Sequence, residues 1–298
     1  MFTVREARPD DANNVVPLLV GVLAGRQRTY QAIFAFAQSN LGRRPDDSTR
    51  PLGAVLERSD SSVAGFLGLL SSRQSSLTSG WIQHMTCWAV TPDARAQGLK
   101  LLNHVQHAHQ GILTNFSATA PVQTILQHFK FSVVDEAELT FSSLSFRNIW
   151  RRISGSLATG KDAVGFATTE EQARMLADHL IMGCKVLGVQ QNDRKIVAVL
   201  LPVGQGRDAA AQLIHIAPAD SDAIRSMWPF LAGFVATDMR RLKIKVDSRH
   251  APPGEEPLAR KPRKMFASGL AGSPRTLTRA YGEPLNAWAD FTRFNAKA

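Results

Sequence analysis

The amino-acid sequence predicts a fold of the α/β class, a mixed α+β sheet covered by helices, and three observations support this prediction. Apolar runs of strand length alternate with stretches of helical periodicity from the amino terminus to about residue 145. The same order of elements starts again after residue 160, which indicates a diverged internal repeat. The chain has 298 residues, 44% apolar and 20% charged, so it is long enough for two domains with real cores. An unrelated α/β domain in the second half is the alternative.

The first half of the chain reads as strand, helix, helix, hairpin, strand, helix, strand, helix and a closing pair of strands. Asp10 or Asp11 can cap free amides at a helix start, and apolar residues at helical spacing follow them. The polar stretch 57–62 between two apolar runs is typical of a hairpin turn. Pro92 ends the strand before it, since proline cannot donate to a β-ladder, and Pro121 suits the first turn of a helix. The predicted strands are 2–7, 52–56, 63–70, 81–90, 112–117, 131–134 and 139–144, and helices are predicted after residue 11, over 30–36, 99–109 and 121–128.

The second half follows a predicted linker over 146–160 and has a similar order of elements. Thr168 and Thr169 precede Glu170, which repeats the helix-start signal of the first half. A hairpin surrounds 192–194, and the run 213–218 resembles the strand that ends before Pro92. The predicted elements are strands 163–167, 186–189, 196–203, 213–217 and 242–246, with helices after residue 168 and over 222–235. We therefore expect one domain over 1–145 and a second over 161–298.

The positive charge is concentrated in the second half. The chain has a formal net charge of +10, and residues 146–298 carry 23 Lys and Arg against 14 Asp and Glu. Such a field attracts anions, so the basic second domain is expected to face an anionic partner, and a solvated basic face is the alternative. The charge permits a nucleic-acid-binding role as a third hypothesis, but no recognised reader motif supports it, so nucleic acid is not a clear partner.

Cysteine content and hydropathy favour a cytoplasmic protein. The two cysteines, Cys87 and Cys184, exclude a disulfide scaffold and a four-cysteine zinc site. No apolar run approaches the ~18–20 residues that cross a bilayer. The segment Met1–Glu6 has no basic stretch followed by an apolar one, so no secretory signal is expected.

The segment Val90–Leu102 carries the clearest chemical signal. It reads as a strand, a tight turn and the first turn of a helix. The first amides of a helix have no internal partners, and the helix dipole adds partial positive charge there. Gly98 lets an anion approach the backbone closely, so the segment predicts a cradle for phosphate.

This segment resembles the acyl-CoA-binding motif of the GNAT superfamily of N-acyltransferases, which reads Arg or Gln, two residues, Gly, one residue, Gly or Ala. Lys100 replaces the last small residue of the motif. The resemblance implies a GNAT-like fold, as two tandem copies with the second degenerate, that takes acetyl-CoA or another acyl-CoA and an amine acceptor. It also implies that the strand before the motif splays from its neighbour and that the acyl-pantetheine arm lies in the gap. The residues expected to line that arm are Trp88, Ala89 and Val90, and those expected to hold the pyrophosphate are Arg95, Ala96, Gln97, Gly98, Leu99 and Lys100.

A second motif of the same superfamily is largely lost. Anchored on Phe131, it places Thr119 at an asparagine position expected to contact the acyl-CoA, Leu126 at a tyrosine position and Lys130 at a glycine position. In many members the tyrosine hydroxyl protonates the departing CoA thiolate, which Leu126 cannot do. Either another group or solvent supplies that proton, or the domain binds without catalysis.

His84 is the candidate general base, because it lies on the strand before the motif and imidazole has a reference pKa of about 6.5. A histidine with its hydrogen bonds satisfied inside the sheet is the alternative. Strand alternation predicts that Cys87 points to the opposite face. His104, His107 and His109 lack a nearby carboxylate and a shared face, so no metal site is expected.

The corresponding turn of the second domain, 218–222, has neither arginine nor glycine and carries Asp220 and Asp222. These carboxylates would repel a pyrophosphate, so the second domain is expected to serve structure or acceptor recognition, with basic loops over 249–264. Two hypotheses follow from the whole sequence. One is an acyltransferase that moves an acetyl group from acetyl-CoA to an amine; the other is a catalytically inactive GNAT-like binding protein.

Overall fold

The computed structural model describes residues 1–23, 51–73, 81–108, 111–115, 118–144, 156–181, 183–191, 193–204 and 206–268. These residues form two compact units, Met1–Phe116 and Ser117–Phe266, with 267–268 grouped in the first. The predicted helix over 30–36 lies outside the described residues. The predicted domain bounds at 145 and 161 stay a prediction.

The first unit is a mixed sheet with two described α-helices. Its strand order is β1-β2-β3-β4-β5, and every neighbouring pair is antiparallel except β4 and β5, which are parallel. Short 3-10 helices precede each α-helix, at Pro9–Asp11 and Pro92–Gln97. The elements are β1 (Phe2–Glu6), α1 (Ala12–Leu23), β2 (Gly53–Arg58), β3 (Val63–Arg73), β4 (Trp81–Val90), α2 (Gly98–Ala108) and β5 (Ile112–Asn115).

Packing explains why these apolar runs form a sheet with helices against it. Leu101, Leu102 and Val105 form the buried face of α2, three residues at helical spacing. Gly65 of β3 lies directly beneath this helix, because a Cβ at that position would come within 3.2 Å of Leu101 Cδ1. Helix α2 therefore sits on the face of the sheet to which Gly65 points.

A partly buried ion cluster joins β1 to the 3-10 helix that precedes α1. Arg5 donates from Nη1 and Nη2 to the two carboxylate oxygens of Asp11, each at 2.8 Å, and from Nε to Glu57 Oε2 at 2.8 Å. Asp11 is only 5% exposed. Burial by itself would raise the pKa of Asp11, but the hydrogen bonds from Arg5 and from the Arg8 amide outweigh burial and hold that pKa below its ordinary value.

The second unit is a seven-stranded mixed sheet. Its strand order is β12-β6-β11-β10-β9-β8-β7, in which β10 and β11 are parallel. The elements are α3 (Ala120–His128), β6 (Ser132–Ser142), β7 (Ser156–Thr159), α4 (Lys161–Val164), α5 (Glu170–Ile181), β8 (Lys185–Gln191), β9 (Arg194–Val203), β10 (Ala210–Ala217), α6 (Ser221–Thr237), β11 (Lys243–Asp247) and β12 (Ala259–Ser268).

Three expectations about the second unit were wrong. The two predicted strands over 131–134 and 139–144 are one strand, β6, which pairs with β11 from Lys243↔Ser142 to Asp247↔Glu138. The predicted strand 163–167 begins as helix α4, and the strand that opens this half is β7, inside the predicted linker. The predicted basic loops over 249–264 end in strand β12.

Helix α6 supplies much of the core of the second unit. Trp228 packs edge-on against Phe141 of β6, with ring centroids 5.2 Å apart, and both rings are buried. Pro229 lies inside the helix, which is the longest one described. No helix among the described residues is both long enough and apolar enough to cross a membrane.

The end of α3 keeps the backbone conformation that glycine favours. Lys130 has φ +61°, in the left-handed region. Its N–H donates to Gln127 O at 3.0 Å, and the N–H of Phe131 donates to Leu126 O at 2.9 Å, which is the bond pattern of a Schellman motif. Leu126 and Phe131, the apolar residues that flank this motif, are both buried. The Gly position identified in the sequence is therefore a glycine-type position occupied by lysine.

Candidate functional site

The candidate site of the first unit is the stretch of β4 that extends beyond the described pairs with β5. The two strands pair at Ile82↔Ile112, Gln83↔Leu113 and His84↔Thr114. Strand β4 then continues to Val90, and among the described residues no β5 position pairs with 85–90. We call Met85–Val90 the open segment. Backbone N–H and C=O groups along the edge of a strand can hydrogen-bond an extended ligand.

A β-bulge shapes the open segment. The β3–β4 register shifts between Leu67↔Trp88 and Leu69↔Met85, so Thr86 and Cys87 together oppose the single residue Gly68. Gly68 is needed there, because a Cβ would come within 2.3 Å of Thr86 Oγ1. The bulge adds one residue to β4, so the alternation that predicted opposite faces for Cys87 and His84 does not continue through it.

The predicted pyrophosphate segment is helical rather than a tight turn. Residues Pro92–Gln97 form a 3-10 helix that continues into α2 at Gly98. Two backbone amides of this connection donate to its own carbonyl groups, Ala94 N–H to Thr91 O at 3.1 Å and Gly98 N–H to Arg95 O. Of the residues expected to hold the pyrophosphate, Gln97 is half-buried and Gly98 is buried, whereas four are exposed: Arg95, Ala96, Leu99 and Lys100.

Gly98 brings the start of α2 close to the open segment. A Cβ at Gly98 would lie 3.2 Å from Val90 Cγ2 and 3.9 Å from Trp88 Nε1. The Cα of Gly98 thus faces β4, and the absence of a side chain lets α2 pack closely against this strand. Trp88 and Val90 are half-buried beside it, while Ala89 between them is buried. The structure therefore brings Trp88, Val90 and Gly98 together at one end of the open segment.

An arginine absent from the sequence-based prediction fixes the connection after β4. Arg58, the last residue of β2, donates from Nη2 to Asp93 Oδ1 at 3.0 Å, to Asp93 Oδ2 at 2.9 Å and to Thr91 Oγ1 at 3.0 Å. Its Nη1 donates to Ser62 Oγ at 3.2 Å. The hydrogen bonds from Thr91 and from Arg58 lower the pKa of Asp93. The tip of the β2–β3 hairpin thereby holds the first residues that follow the open segment.

His84 lies at the last paired position before the open segment. The residue is 2% exposed, and its Nδ1 atom lies 2.6 Å from Thr114 Oγ1. The Thr114 hydroxyl also lies 3.4 Å from the carbonyl oxygen of Gln83. If Nδ1–H donates to the hydroxyl and the hydroxyl donates to that carbonyl, the lone pair of the imidazole is on Nε2.

The remaining predicted residue belongs to the second unit. Thr119 is the exposed N-cap of α3, and its carbonyl accepts a hydrogen bond from the Gln123 N–H at 2.9 Å. Its side chain makes no capping bond with the helix. Leu126, at the position where the superfamily has tyrosine, is fully buried.

The second unit repeats the separation of parallel strands. Strands β10 and β11 pair only at Ala211↔Ile244 and Gln212↔Lys245, and β10 has a bulge between Leu213 and His215. A bulged strand whose parallel partner pairs only at one end thus occurs in both units. This shared arrangement supports the interpretation of the chain as two tandem copies.

A carboxylate of the chain itself occupies the start of α6. Asp220 Oδ1 accepts from the backbone N–H groups of Asp222 at 3.1 Å and Ala223 at 2.8 Å. The carboxylate also accepts from Arg194, at the start of β9. The Ala223 hydrogen bond is the main cause that lowers the pKa of Asp220. An internal anion therefore caps the helix that corresponds to α2 of the first unit.

Three histidines of the second unit, His179, His215 and His250, are buried or half-buried. His215 is half-buried as a residue, but its Nε2 atom has no solvent contact. Burial, followed by the nearby charges of His179 and His250, lowers the pKa of His215 to about 3. Asp247 and Arg249, both buried, form an ion pair at 3.1 Å.

The two histidines of α2 differ in exposure, since His104 is half-buried and His107 is exposed. His107 Nδ1 lies 2.7 Å from the Asn103 carbonyl oxygen, one turn earlier on the helix, and His109 lies outside the described residues. Within the described part of the chain, no three His, Cys, Asp or Glu side chains are grouped so as to hold a metal ion.

Solved structures with a similar fold include GCN5-related N-acetyltransferases. A GCN5-related N-acetyltransferase from Anabaena variabilis is 12% identical with a TM-score of 0.56, over 90% of this chain and 72% of that one. One from Kribbella flavida is 12% identical with a TM-score of 0.55, over 90% and 71%. A protein proposed to be an acetyltransferase, from Pyrococcus horikoshii, is 9% identical with a TM-score of 0.54, over 94% and 93%. No protein-family model and no curated protein matches the sequence.

Proposed function

We propose that this chain, which has the fold of the GCN5-related N-acetyltransferases, transfers an acetyl or other acyl group from acyl-CoA to an amine. One observation carries the proposal: in the part of the chain that the structure describes, β4 pairs with β5 as far as His84, and the start of α2 lies at the far end of the open segment. A strand edge next to a helix start suits a ligand with an extended amide-containing arm and a diphosphate. The pantetheine and diphosphate of CoA have this form.

The basic and amide groups at the end of the open segment suit the anionic part of such a ligand. Arg95 and Lys100 are exposed on either side of the start of α2. Their charges attract phosphate oxygens, and the partial positive charge of the helix start adds to that attraction. The half-buried Trp88 and Val90 offer apolar surface to the arm that precedes the diphosphate.

The reaction needs a base and a source of a proton. The amine nitrogen attacks the thioester carbonyl, the C–N bond forms and the C–S bond breaks, the amine loses a proton and the CoA thiolate gains one. We assign the base role to His84 through Nε2, with the Thr114 hydroxyl orienting the ring from Nδ1. Since Leu126 offers no hydroxyl group, we assign protonation of the thiolate to solvent.

A catalytically inactive binding protein of the same fold is the second candidate. The observation that favours it is the buried Leu126 at the tyrosine position, because a leucine side chain has no acidic proton to donate to the thiolate. This candidate predicts binding of acyl-CoA without transfer to any amine.

The amine acceptor and the setting of the reaction belong to the same proposal. Amino sugars, small amines and protein lysines are the acceptor classes to compare, and the basic second unit favours an acceptor or partner that carries negative charge. A chain whose two cysteines form no disulfide suits the reducing cytoplasm, where acyl-CoA is available.

Calorimetric titration with acetyl-CoA tests binding, and release of free thiol during incubation with the three acceptor classes tests transfer. Lys100→Glu reverses an exposed charge at the start of α2 and is expected to weaken binding about tenfold at low salt. Lys161→Glu, an equally exposed reversal in the second unit, is the matched control and is expected to bind like the wild type. Gly98→Glu is a second, more disruptive variant, because the new side chain would press against Val90 as well as add a negative charge.

The outcomes separate the two candidates. Micromolar binding with thiol release supports the enzyme, and binding without release in any acceptor class supports the inactive protein. No binding by the wild-type chain, or equal loss in Lys100→Glu and Lys161→Glu, would overturn the proposed site.

A further inference from the structure

We infer that Arg58 is a positioning residue for diphosphate binding: it cancels the charge of Asp93 and fixes the connection that leads from the open segment to α2. This inference rests on the proposed function. Arg58 lies on β2, two strands away from the residues that carry the sequence motif, and nothing in that motif points to it.

Asp93 is the one acidic residue between Val90 and the end of the motif at Lys100. It lies three residues beyond the open segment, in the first turn of the 3-10 helix. Since hydrogen bonds from Thr91 and Arg58 lower the pKa of Asp93, it is ionised at neutral pH. A lone carboxylate at this position would repel the diphosphate that Arg95 and Lys100 attract.

Arg58 removes this repulsion with a fixed geometry. Its Nη2 atom reaches both carboxylate oxygens of Asp93 and the Thr91 hydroxyl, all within 3.0 Å. The ring of Phe2 lies under the guanidinium, 5.9 Å from its carbon to the ring centroid. One side chain therefore neutralises the acid and holds two residues of the connection.

The hairpin that presents Arg58 is itself well held. Ser62 accepts from Arg58 Nη1, and it donates from its own N–H and hydroxyl to Asp60 Oδ1 at 3.0 and 2.7 Å. The Arg58 N–H also donates to the Ser62 carbonyl at 2.9 Å. The guanidinium is thus preorganised from the hairpin side, and the connection after β4 docks onto it.

The second unit offers a matched pair for comparison. Arg194, next to the turn of the β8–β9 hairpin, bonds Asp220 in the connection between β10 and α6. Both pairs link a hairpin to the connection after a bulged strand. Asp220, however, caps α6 with its own carboxylate, so loss of Arg194 exposes no diphosphate site.

The test compares two acyl donors on four variants of the full chain. Acetyl-CoA carries the diphosphate, whereas S-acetylpantetheine carries the same thioester and arm without phosphate. Arg58→Gln is expected to weaken acetyl-CoA binding about fivefold at low salt and to leave S-acetylpantetheine within about twofold. Asp93→Asn is expected to tighten acetyl-CoA binding, and Arg58→Gln with Asp93→Asn to return near the wild-type affinity. Arg194→Gln is expected to match the wild type with both donors.

A purely structural role of Arg58 predicts a different pattern. It would weaken both donors equally, and Asp93→Asn would not restore acetyl-CoA binding; either result overturns the inference while leaving the proposed function standing. If Arg58→Gln fails to fold, Asp93→Asn alone decides, since unchanged or weaker acetyl-CoA binding contradicts the inference. A wild-type chain that binds neither donor overturns the proposed function and this inference together.

Discussion

His84 and Thr114 face each other at the last paired position of β4 and β5, and the Nδ1 and Oγ1 atoms of their side chains lie 2.6 Å apart. This bond joins the two strands at the last of their described pairs. It therefore connects the geometry of the open segment to the orientation of the imidazole.

Thr114→Val removes the hydroxyl group while nearly keeping the shape of the side chain. Because the buried His84 loses a hydrogen bond, unfolding free energy is expected to fall by about 1 kcal/mol. If His84 is the base, kcat is expected to fall about tenfold with KM nearly unchanged. Thr124→Val, on the exposed side of α3, is the control. A variant with wild-type kcat and an unaltered pH–rate profile would remove His84 from the base role.

Asp11→Asn breaks the bidentate pair with Arg5 beneath β1. The unfolding free energy is expected to fall by about 1–3 kcal/mol at pH 7. The fall is moderate because solvent screens the pair: the Asp11 side chain is 7% exposed and that of Arg5 29%. The folded-state pKa of Asp11 lies below 3.8, so its contribution is present above pH 3.8 and is lost as pH falls through the folded pKa. Urea unfolding at pH 7 and pH 3 checks this, with Asp10→Asn, at an exposed neighbour, as control. A difference from wild type that widens toward pH 3 would contradict it.

Lys130→Gly is expected to stabilise the protein. Lysine at φ +61° has a conformational penalty that glycine lacks, so the gain is about 0.5–1 kcal/mol after the greater freedom of glycine in the unfolded chain is counted. Lys130→Ala removes the same charge without relieving the backbone and serves as control. Equal thermal midpoints for the two variants would show that charge, not backbone conformation, governs this position.

His215→Gln is expected to flatten the dependence of stability on pH. The folded-state pKa of His215 is about 3, below the ordinary 6.5, so the unfolded chain binds more protons between these values. Stability therefore falls as pH drops below 6.5, by at most about 1.4 kcal/mol per pH unit for one such group. Unfolding between pH 7.5 and 5.5 measures the slope, and His128→Gln, at the exposed end of α3, is the control. A slope unchanged by His215→Gln would refute the assignment.

The two cysteines are expected to differ in reactivity. Burial raises the pKa of Cys184 to about 12, whereas Cys87 is half-buried in the open segment. Iodoacetamide is expected to label Cys87 first in the folded chain, and saturating acetyl-CoA is expected to slow that labelling. Mass spectrometry of the two peptides measures both rates, with Cys87→Ser as the blank. Faster labelling of Cys184, or a Cys87 rate indifferent to acetyl-CoA, would contradict this.

The predicted fold class and the resemblance to the GNAT superfamily are confirmed, because local signals fix the elements that define them. The strand Trp81–Val90 was predicted to the residue, since Pro92 ends it and most of its residues are apolar. The helix after Thr169 and the hairpin around 192–194 follow equally local signals.

The errors arose where distant partners decide the structure. Ala163 and Val164 are apolar enough for a strand but form a helical turn after Gly160, whose φ of +61° ends β7. Strand β12 begins with exposed basic residues and a proline, which local patterns assign to a loop. The bulge at Thr86 and the clamp from Arg58 depend on residues of β2 and β3, so the motif alone could not reveal them.

The pairing of β6 with β11 has a consequence for synthesis on the ribosome. Strand β6 ends at Ser142, and its neighbour begins at Lys243, so a nascent chain must grow by about a hundred residues before that edge is covered. On the other side of β6, the Thr140 carbonyl accepts a hydrogen bond from the N–H of Leu258, which is synthesised later still. A polypeptide that stops at residue 145 would expose both edges of an eleven-residue strand. Exposed strand edges pair with other chains, so such a fragment is expected to aggregate.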